Sequence, residues 1–180
     1  MVKVKKIIVI FCMLFTLNAY AETSIQVNIS EQRLYLLKFN EVLVSYPISS
    51  SSYGEGQQEN SYKTPLGNHI IKEMIGSSAA KDTIFISRIN TKRAASLIKE
   101  PIDTDNDYVT SRIMWLEGEE EGFNKGGSVD SYQRYIYIHG TQEEGLIGSK
   151  ASHGCIRMFN NDVIDLFQRV NIGTKVLIKI

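Results

Sequence analysis

Apolar and polar residues alternate in short runs along most of the chain, which is the pattern of half-buried β-strands. The runs cover residues 25–29, 34–37, 42–46, 66–74, 83–89, 109–116, 134–138 and 174–180. Asn40-Glu41 separates two of them and predicts a hairpin turn, whereas the Ser-, Gly-, Gln- and Asn-rich stretch 49–63 predicts an exposed loop. Residues 91–100 predict a short helix or irregular chain.

A helical period occurs clearly once, after residue 159. Its apolar positions share one helix face and are Val163, Leu166, Phe167 and Val170. Asn160 is the predicted N-cap, and Asp162 lies in the first turn, where the helix dipole favours a negative charge. Many short strands with one helix near the C-terminus predict a mainly β domain, either a β-sandwich or a distorted barrel.

The first 21 residues have the pattern of a cleaved signal peptide. Lys3, Lys5 and Lys6 precede a short apolar run, and Ala19-Tyr20-Ala21 is a small-x-small cleavage site. The apolar run is too short to span a bilayer, which argues against an uncleaved anchor. We therefore expect a signal peptide at 1–21, one catalytic domain at 22–180, release into the periplasm and no membrane anchor after cleavage.

The net charge of the chain argues against some classes of binding partner. The 180-residue chain is neutral as written, with 20 basic and 20 acidic residues, and cleavage would remove three of the lysines. A weakly acidic mature domain argues against nucleic acid as a partner.

Cleavage would also remove Cys12, so that Cys155 would have no partner for a disulfide. A lone thiol in an oxidising compartment indicates a chemical use.

Cys155 lies in the stretch Ser152-His153-Gly154-Cys155-Ile156-Arg157, which suits a nucleophile. A thiolate attacks acyl carbons, and a nearby imidazole can accept its proton. His153 and His139 are both candidates for this base, and spacing alone does not choose between them. Zinc is the rival interpretation, but the paired ligand spacing of a structural zinc site is missing, so we expect no metal and no cofactor.

The remaining polar groups allow further roles. Backbone amides around Gly154 and Cys155 could stabilise an oxyanion, because glycine allows a close approach of substrate. Arg157 could bind a substrate carboxylate, or it could form a structural ion pair. No candidate catalytic residue lies near His69 in the sequence, so we expect His69 to be a structural histidine.

Several of these residues belong to a longer signature. It consists of His139-Gly140-Thr141, Ile147-Gly148, residues 151–158 and Asn161-Asp162, with Lys63-Thr64-Pro65-Leu66-Gly67 and Tyr46-Pro47-Ile48-Ser49 upstream. This combination resembles the L,D-transpeptidases, the YkuD-type catalytic domain, over most of the mature chain. The long downstream part is specific, whereas the Thr-Pro-x-Gly part alone would be a weak signal.

The resemblance implies a β-sandwich-like catalytic domain that acts on peptidoglycan stem peptides. It implies Cys155 as nucleophile, His139 as proton acceptor and donor, and a Gly140 backbone carbonyl that orients His139. It also implies that His153 lies beside the nucleophile and helps to shape the oxyanion site. Gly154 is the candidate for the oxyanion backbone, and Ser152 and Arg157 are the candidates for substrate binding.

Two classes of activity share the implied acyl-enzyme. A transferase would pass the acyl group to an amine, either on another stem or on an outer-membrane lipoprotein. A hydrolase, such as an L,D-carboxypeptidase, would pass it to water. The sequence does not separate them, because water and an amine attack the same thioester.

Overall fold

The computed structural model describes residues 23–180, so the predicted signal peptide lies outside the described residues. The strands are β1 (Thr23–Asn28), β2 (Arg33–Lys38), β3 (Glu41–Ser49), β4 (Gly67–Ile75), β5 (Thr83–Ile86), β6 (Ile89–Ala94), β7 (Val109–Gly118), β8 (Tyr137–Thr141), β9 (Ile156–Met158) and β10 (Lys175–Lys179). The α-helix of this part, α1, is Asn160–Arg169, and short 3-10 turns occupy Gly127–Val129 and Glu144–Leu146. The predicted mainly β fold with one helix is confirmed. In residues 23–180 no helix has the length and apolar character needed to cross a membrane.

The ten strands form one sheet that closes on itself. The order is β4-β10-β1-β2-β3-β9-β8-β7-β5-β6, and β4 also pairs with β7, which joins the first eight strands into a ring. Strands β5 and β6 extend from β7 as a hairpin outside the ring. Two pairs are parallel, β1 with β10 and β8 with β9, and the second of these carries the candidate site.

One apolar core fills the ring. Alternate residues of the ring strands point into it and include Ile25, Leu34, Ile48, Ile71, Met114, Leu116, Ile138, Ile156 and Ile178. Val163 and Leu166 of α1 complete this core. Each fully buried aliphatic side chain contributes about 1.5–3 kcal/mol, so the period-two pattern supplies the main stabilisation of the ring.

The run at residues 83–89 is two strands rather than one. Ser87 and Arg88 have φ angles of 48° and 68°, a left-handed pair that reverses the chain between β5 and β6. The following segment is therefore extended as far as Ala94 and irregular from 95 to 100, instead of helical.

The strand predicted at residues 134–138 begins later in the structure than the sequence pattern indicated. Arg134 lies in a turn, where its backbone N–H donates to the Asp130 carbonyl at 2.9 Å, and Tyr135 has a φ of 57°. Strand β8 therefore starts at Tyr137. The pattern did not predict β9, because three residues are too short a run to show a period.

Asn160 is not the N-cap of α1, which corrects the prediction. Phe159 occupies that position and provides no side-chain cap. The buried Asn160 amide instead donates to the Thr141 carbonyl at 2.7 Å, and its oxygen accepts the hydroxyls of Thr110 and Ser111 at 2.6 Å each. Asn160 therefore fastens the start of α1 to β7 and β8.

Candidate active site

The register of β8 and β9 places the candidate residues on one face. His139 pairs with Arg157 in this parallel ladder, and Tyr137 and Cys155 each lie two residues earlier in their chains. Residues two apart in a strand point the same way, so Tyr137, His139 and the paired Arg157 share a face. Cys155 lies in the bend just before β9, and its packing against Tyr137 and Ile113, the pairing partner of His139, places it on the same side. The intervening Ile138 and Ile156 point into the ring core. The ladder thus brings together the two residues predicted as nucleophile and base.

The Cys155 thiol lies in a mostly apolar setting. The Tyr137 N–H donates to Sγ at 3.3 Å, and the thiol donates to the Tyr135 carbonyl at 3.4 Å. Cys155 also packs against a second apolar cluster, which contains Ala79, Phe85, Ile113, Trp115 and Tyr137. Burial raises the pKa of the Cys155 thiol to about 12, against the lowering effects of the Tyr137 N–H and of nearby arginines. This setting favours the neutral thiol over the thiolate.

The His139 ring is buried and held in one tautomer. Its Nδ1 lies 2.7 Å from the Gly140 carbonyl, which only accepts hydrogen bonds, so Nδ1 carries the proton and Nε2 has a free lone pair. Burial lowers the pKa of His139, although Asp107 and the Gly140 carbonyl act in the opposite direction. The ring is therefore a neutral base. The Gly140 contact is the one that the resemblance implies.

Gly140 has no space for a side chain. A Cβ at this position would lie 2.6 Å from the Asn160 amide oxygen and 2.9 Å from the Thr110 carbonyl. The close approach of Asn160 to β8 therefore requires glycine beside His139.

Asp107 is a site residue that the sequence analysis missed. Its carboxylate lies 2.6 Å from Arg157 Nη2 and 3.1 Å from His153 Nδ1. Burial raises the pKa of Asp107, but Arg157, His139 and His153 outweigh this effect and hold the pKa below its usual value. Asp107 lies in an irregular loop before β7, where no local pattern distinguishes it from neighbouring acidic residues.

Arg157 forms a structural ion pair, which is the second of the two roles that its sequence position allowed. The side chain is fully buried, with Nη1 2.9 Å from Glu143 and Nη2 2.6 Å from Asp107. The predicted contact with a substrate carboxylate does not fit this position, because two protein carboxylates already surround the guanidinium.

The turn before the nucleophile differs from the prediction in two further respects. The buried Ser152 hydroxyl donates to the Cys155 carbonyl at 2.6 Å, so it holds the turn instead of facing substrate. The Gly154 N–H donates to the same hydroxyl at 3.3 Å, so in this conformation it is not directed toward an oxyanion. Gly154 has a φ of 119°, which side-chain-bearing residues rarely adopt.

His153 lies at the rim of the site. Its side chain is 43% exposed, and its Nδ1 faces Asp107. The ring centroids of Tyr53 and Tyr62 lie 5.8 and 6.0 Å from that of His153. His153 therefore belongs to an aromatic rim, whereas His139 is the buried histidine of the pair.

The loop at residues 49–63 forms one wall of the site and is less exposed than predicted. Ser51 at its start is buried and pairs with Ser152 through an isolated bridge. Arg134 holds the far end of the loop, because its guanidinium donates to the Gln57 carbonyl at 2.7 Å and to the Lys63 carbonyl at 2.6 Å. A cleft of about 280 Å³ lies between this wall, His153 and the turn before β8.

His69 lies on β4 and is buried, as expected for a structural histidine. Its Nδ1 is 3.0 Å from the Gly67 carbonyl, and its Nε2 is 2.9 Å from the Ser131 hydroxyl. Burial lowers the pKa of His69 to about 4.

Comparison with known proteins agrees with this arrangement. The family model of the L,D-transpeptidase catalytic domain, YkuD, matches residues 22–178. The chain belongs to this family. Its membership accounts for the signature around Cys155.

Similar curated proteins match over part of the chain. YqjB of Bacillus subtilis, which carries the L,D-transpeptidase name, is 54% identical over 45 residues, or 25% of this chain and 26% of YqjB. YkuD of the same organism is 43% identical over 60 residues, or 31% of this chain and 37% of YkuD. The matched segments therefore span well under half of these relatives.

Solved structures show the same fold at low identity. An L,D-transpeptidase from Mycobacterium smegmatis superposes with a TM-score of 0.51 at 17% identity, over 89% of this chain and 59% of that one. Bd1075 of Bdellovibrio bacteriovorus gives a TM-score of 0.54 at 17% identity, over 89% of this chain and 49% of that one. The L,D-transpeptidase domain fold predicted from the signature is confirmed.

Proposed function

We propose that the protein is an exported cysteine L,D-transpeptidase that acts on the tetrapeptide stems of peptidoglycan. Family membership supports the reaction class, and one observation carries the mechanism. Cys155 and His139 share a face of β8–β9, and the His139 tautomer leaves Nε2 free to accept a proton.

In the first half-reaction Cys155 attacks the carbonyl of the third stem residue. The Sγ–C bond forms as the thiol proton passes to Nε2 of His139, and the imidazolium then protonates the leaving amine as the C–N bond breaks. Terminal D-Ala departs with that proton, and the stem remains on Cys155 as a thioester.

The raised pKa of Cys155 bears on the timing of this transfer. A stable thiolate–imidazolium pair is unfavourable here, because burial disfavours the charged forms of both Cys155 and His139. We propose that proton transfer accompanies the attack of the thiol on the carbonyl carbon. Once formed, the imidazolium is stabilised by the Gly140 carbonyl and by the charge of Asp107.

In the second half-reaction an amine attacks the thioester. A new C–N bond forms, the C–S bond breaks, and His139 returns the amine proton to Cys155. The amine belongs to a second stem in cross-linking, or to an outer-membrane lipoprotein in attachment. Residues 1–21 support export, because they have the three parts of a signal peptide, and the periplasm is the compartment that we propose for this reaction.

The deciding experiment follows the products of the mature protein. Incubation with disaccharide-tetrapeptide and mass spectrometry should show cross-linked dimers and free D-Ala, and Cys155→Ala should form neither while remaining folded. Tripeptide without dimers would identify an L,D-carboxypeptidase instead. Turnover that persists in Cys155→Ala would reject the mechanism.

A further inference from the structure

Three arginines near the site differ in how far their guanidinium groups are already bound. Arg157 is paired with two carboxylates, and Arg134 donates to backbone carbonyls. Arg88 makes one hydrogen bond within residues 23–180, from Nη1 to the Tyr137 hydroxyl at 3.2 Å. Its Nε and Nη2 groups are therefore open to a ligand.

The backbone at Arg88 is unusual for an arginine. Arg88 and Ser87 form the tight turn of the β5–β6 hairpin, with φ angles of 68° and 48°. Turns of this kind favour Asn-Gly, and a side-chain-bearing residue pays a conformational cost there. An arginine at such a position suggests that its side chain has a use.

The aromatic surface below the hairpin orients this side chain. The guanidinium carbon lies 4.7 Å from the ring centroid of Trp115 and 5.0 Å from that of Tyr135. Trp115 is itself stacked on Tyr132, with centroids 4.1 Å apart. Cation–π attraction holds the guanidinium against the rings and leaves its N–H edges accessible.

Tyr137 connects this guanidinium to the nucleophile. Its hydroxyl accepts from Arg88, and its backbone N–H donates to Cys155 Sγ at 3.3 Å. The Tyr137 hydrogen bond is the main cause that raises the pKa of Arg88, and Glu73 is the carboxylate that adds a smaller effect in the same direction. The Glu73 carboxylate itself accepts the Tyr132 hydroxyl, so it does not occupy the open edge of Arg88.

We propose that Arg88 binds a free carboxylate of the acyl-donor stem peptide and so selects anionic stems over amidated ones. This inference rests on the proposed function and names a specificity-determining residue for it. A planar guanidinium matches a carboxylate through two parallel hydrogen bonds, whereas an amide presents one acceptor and no charge. Arg88 acts in binding and does not take part in the proton transfers.

The test compares two donor substrates that differ at one group. The donors are disaccharide-tetrapeptides whose third residue is a diamino acid with a side-chain carboxylate, which is either free or amidated. They are assayed for D-Ala release, with kcat and KM measured separately. We expect Arg88→Gln to lower kcat/KM about 10- to 100-fold on the free carboxylate, mainly through KM, and to have little effect on the amide.

Arg93→Gln is the matched control, because Arg93 is an exposed residue of the same hairpin. It should leave both substrates unaffected. If thermal unfolding shows that Arg88→Gln is not folded, Arg88→Lys replaces it in the assay. Arg88→Lys should then show the same substrate-selective rise in KM, but a smaller one. Equal effects on both substrates, or none, would overturn the role of Arg88. Failure of the wild-type protein on both substrates would instead overturn the proposed function.

Discussion

At the scale of single residues, the site depends on burial as much as on residue identity. Cys155 and His139 are ordinary titratable side chains, but the fold buries His139 and half-buries Cys155 against apolar groups, which favours their neutral forms. In the proposed mechanism His139 is prepared to act as the base, because the Gly140 carbonyl fixes its tautomer and Asp107 compensates the positive charge that forms on the ring.

The pH dependence of activity tests this description of His139. The ring must be neutral to accept the thiol proton, and burial lowers its pKa from the ordinary value near 6.5. We therefore expect kcat/KM to stay constant as the pH falls to about 6.5, and to decline only at lower pH. A decline that begins above pH 7 would contradict a buried, neutral His139.

The two buried histidines provide a matched pair of variants. His139→Ala should lower kcat by about two orders of magnitude, the usual scale for a lost general base. His69→Ala removes the contacts that His69 on β4 makes to the Gly67 carbonyl and to the Ser131 hydroxyl, so its effect should be on stability rather than on kcat per folded molecule. Equal losses of kcat would show that His139 is not the base.

At the scale of elements, the start of α1 is held by a buried polar network. Asn160 joins the helix to β7 and β8 through Thr110, Ser111 and Thr141, and it fills the space beside Gly140. The helix therefore fixes the strand end that carries His139, in addition to covering the core.

Asn160→Ala should lower the free energy of unfolding by about 2–4 kcal/mol, because it leaves several buried hydrogen-bonding groups unpaired. Asn161→Ala is the control, since Asn161 is an exposed neighbour in the same turn. Urea denaturation of both variants measures the difference. A change at Asn160 no larger than that at Asn161 would show that the network contributes little.

At the scale of the whole molecule, the thiol lies between the β5–β6 hairpin on one side and the loop of residues 49–63 on the other. A strained acyl compound that enters this space should be opened by Cys155, because the thiol proton has an acceptor in His139.

We expect a carbapenem to acylate Cys155 and to add its mass to the intact protein, and a penicillin to react poorly. The adduct should disappear in Cys155→Ala and form more slowly in His139→Ala, because the thiol then lacks its base. Intact-mass spectrometry makes the measurement, and treatment with a chelator should leave the adduct unchanged. An adduct on Cys155→Ala would place the reactive group elsewhere.

Local patterns were sufficient for most ring strands and for the helix, and they named Cys155 as the candidate nucleophile. Period-two alternation reflects burial of one strand face, so most ring strands could be read directly, and the signature around Cys155 is contiguous in sequence. The left-handed turn at Ser87-Arg88 and the three-residue β9 carry no such period, which explains why one strand was divided and another was missed.

Only the tertiary structure decided which side chains meet. His139 rather than His153 lies buried on the Cys155 face because β8 and β9 pair in parallel register, and pairing between distant segments leaves no local signal. Asp107 also gave no local signal, because its loop approaches Arg157 from another part of the chain. The roles of Arg157, Ser152 and Asn160 changed for a related reason, since their polar groups form hydrogen bonds or ion pairs inside the protein. A buried polar group must find a partner, and the folded chain, not the local sequence, determines which partner is within reach.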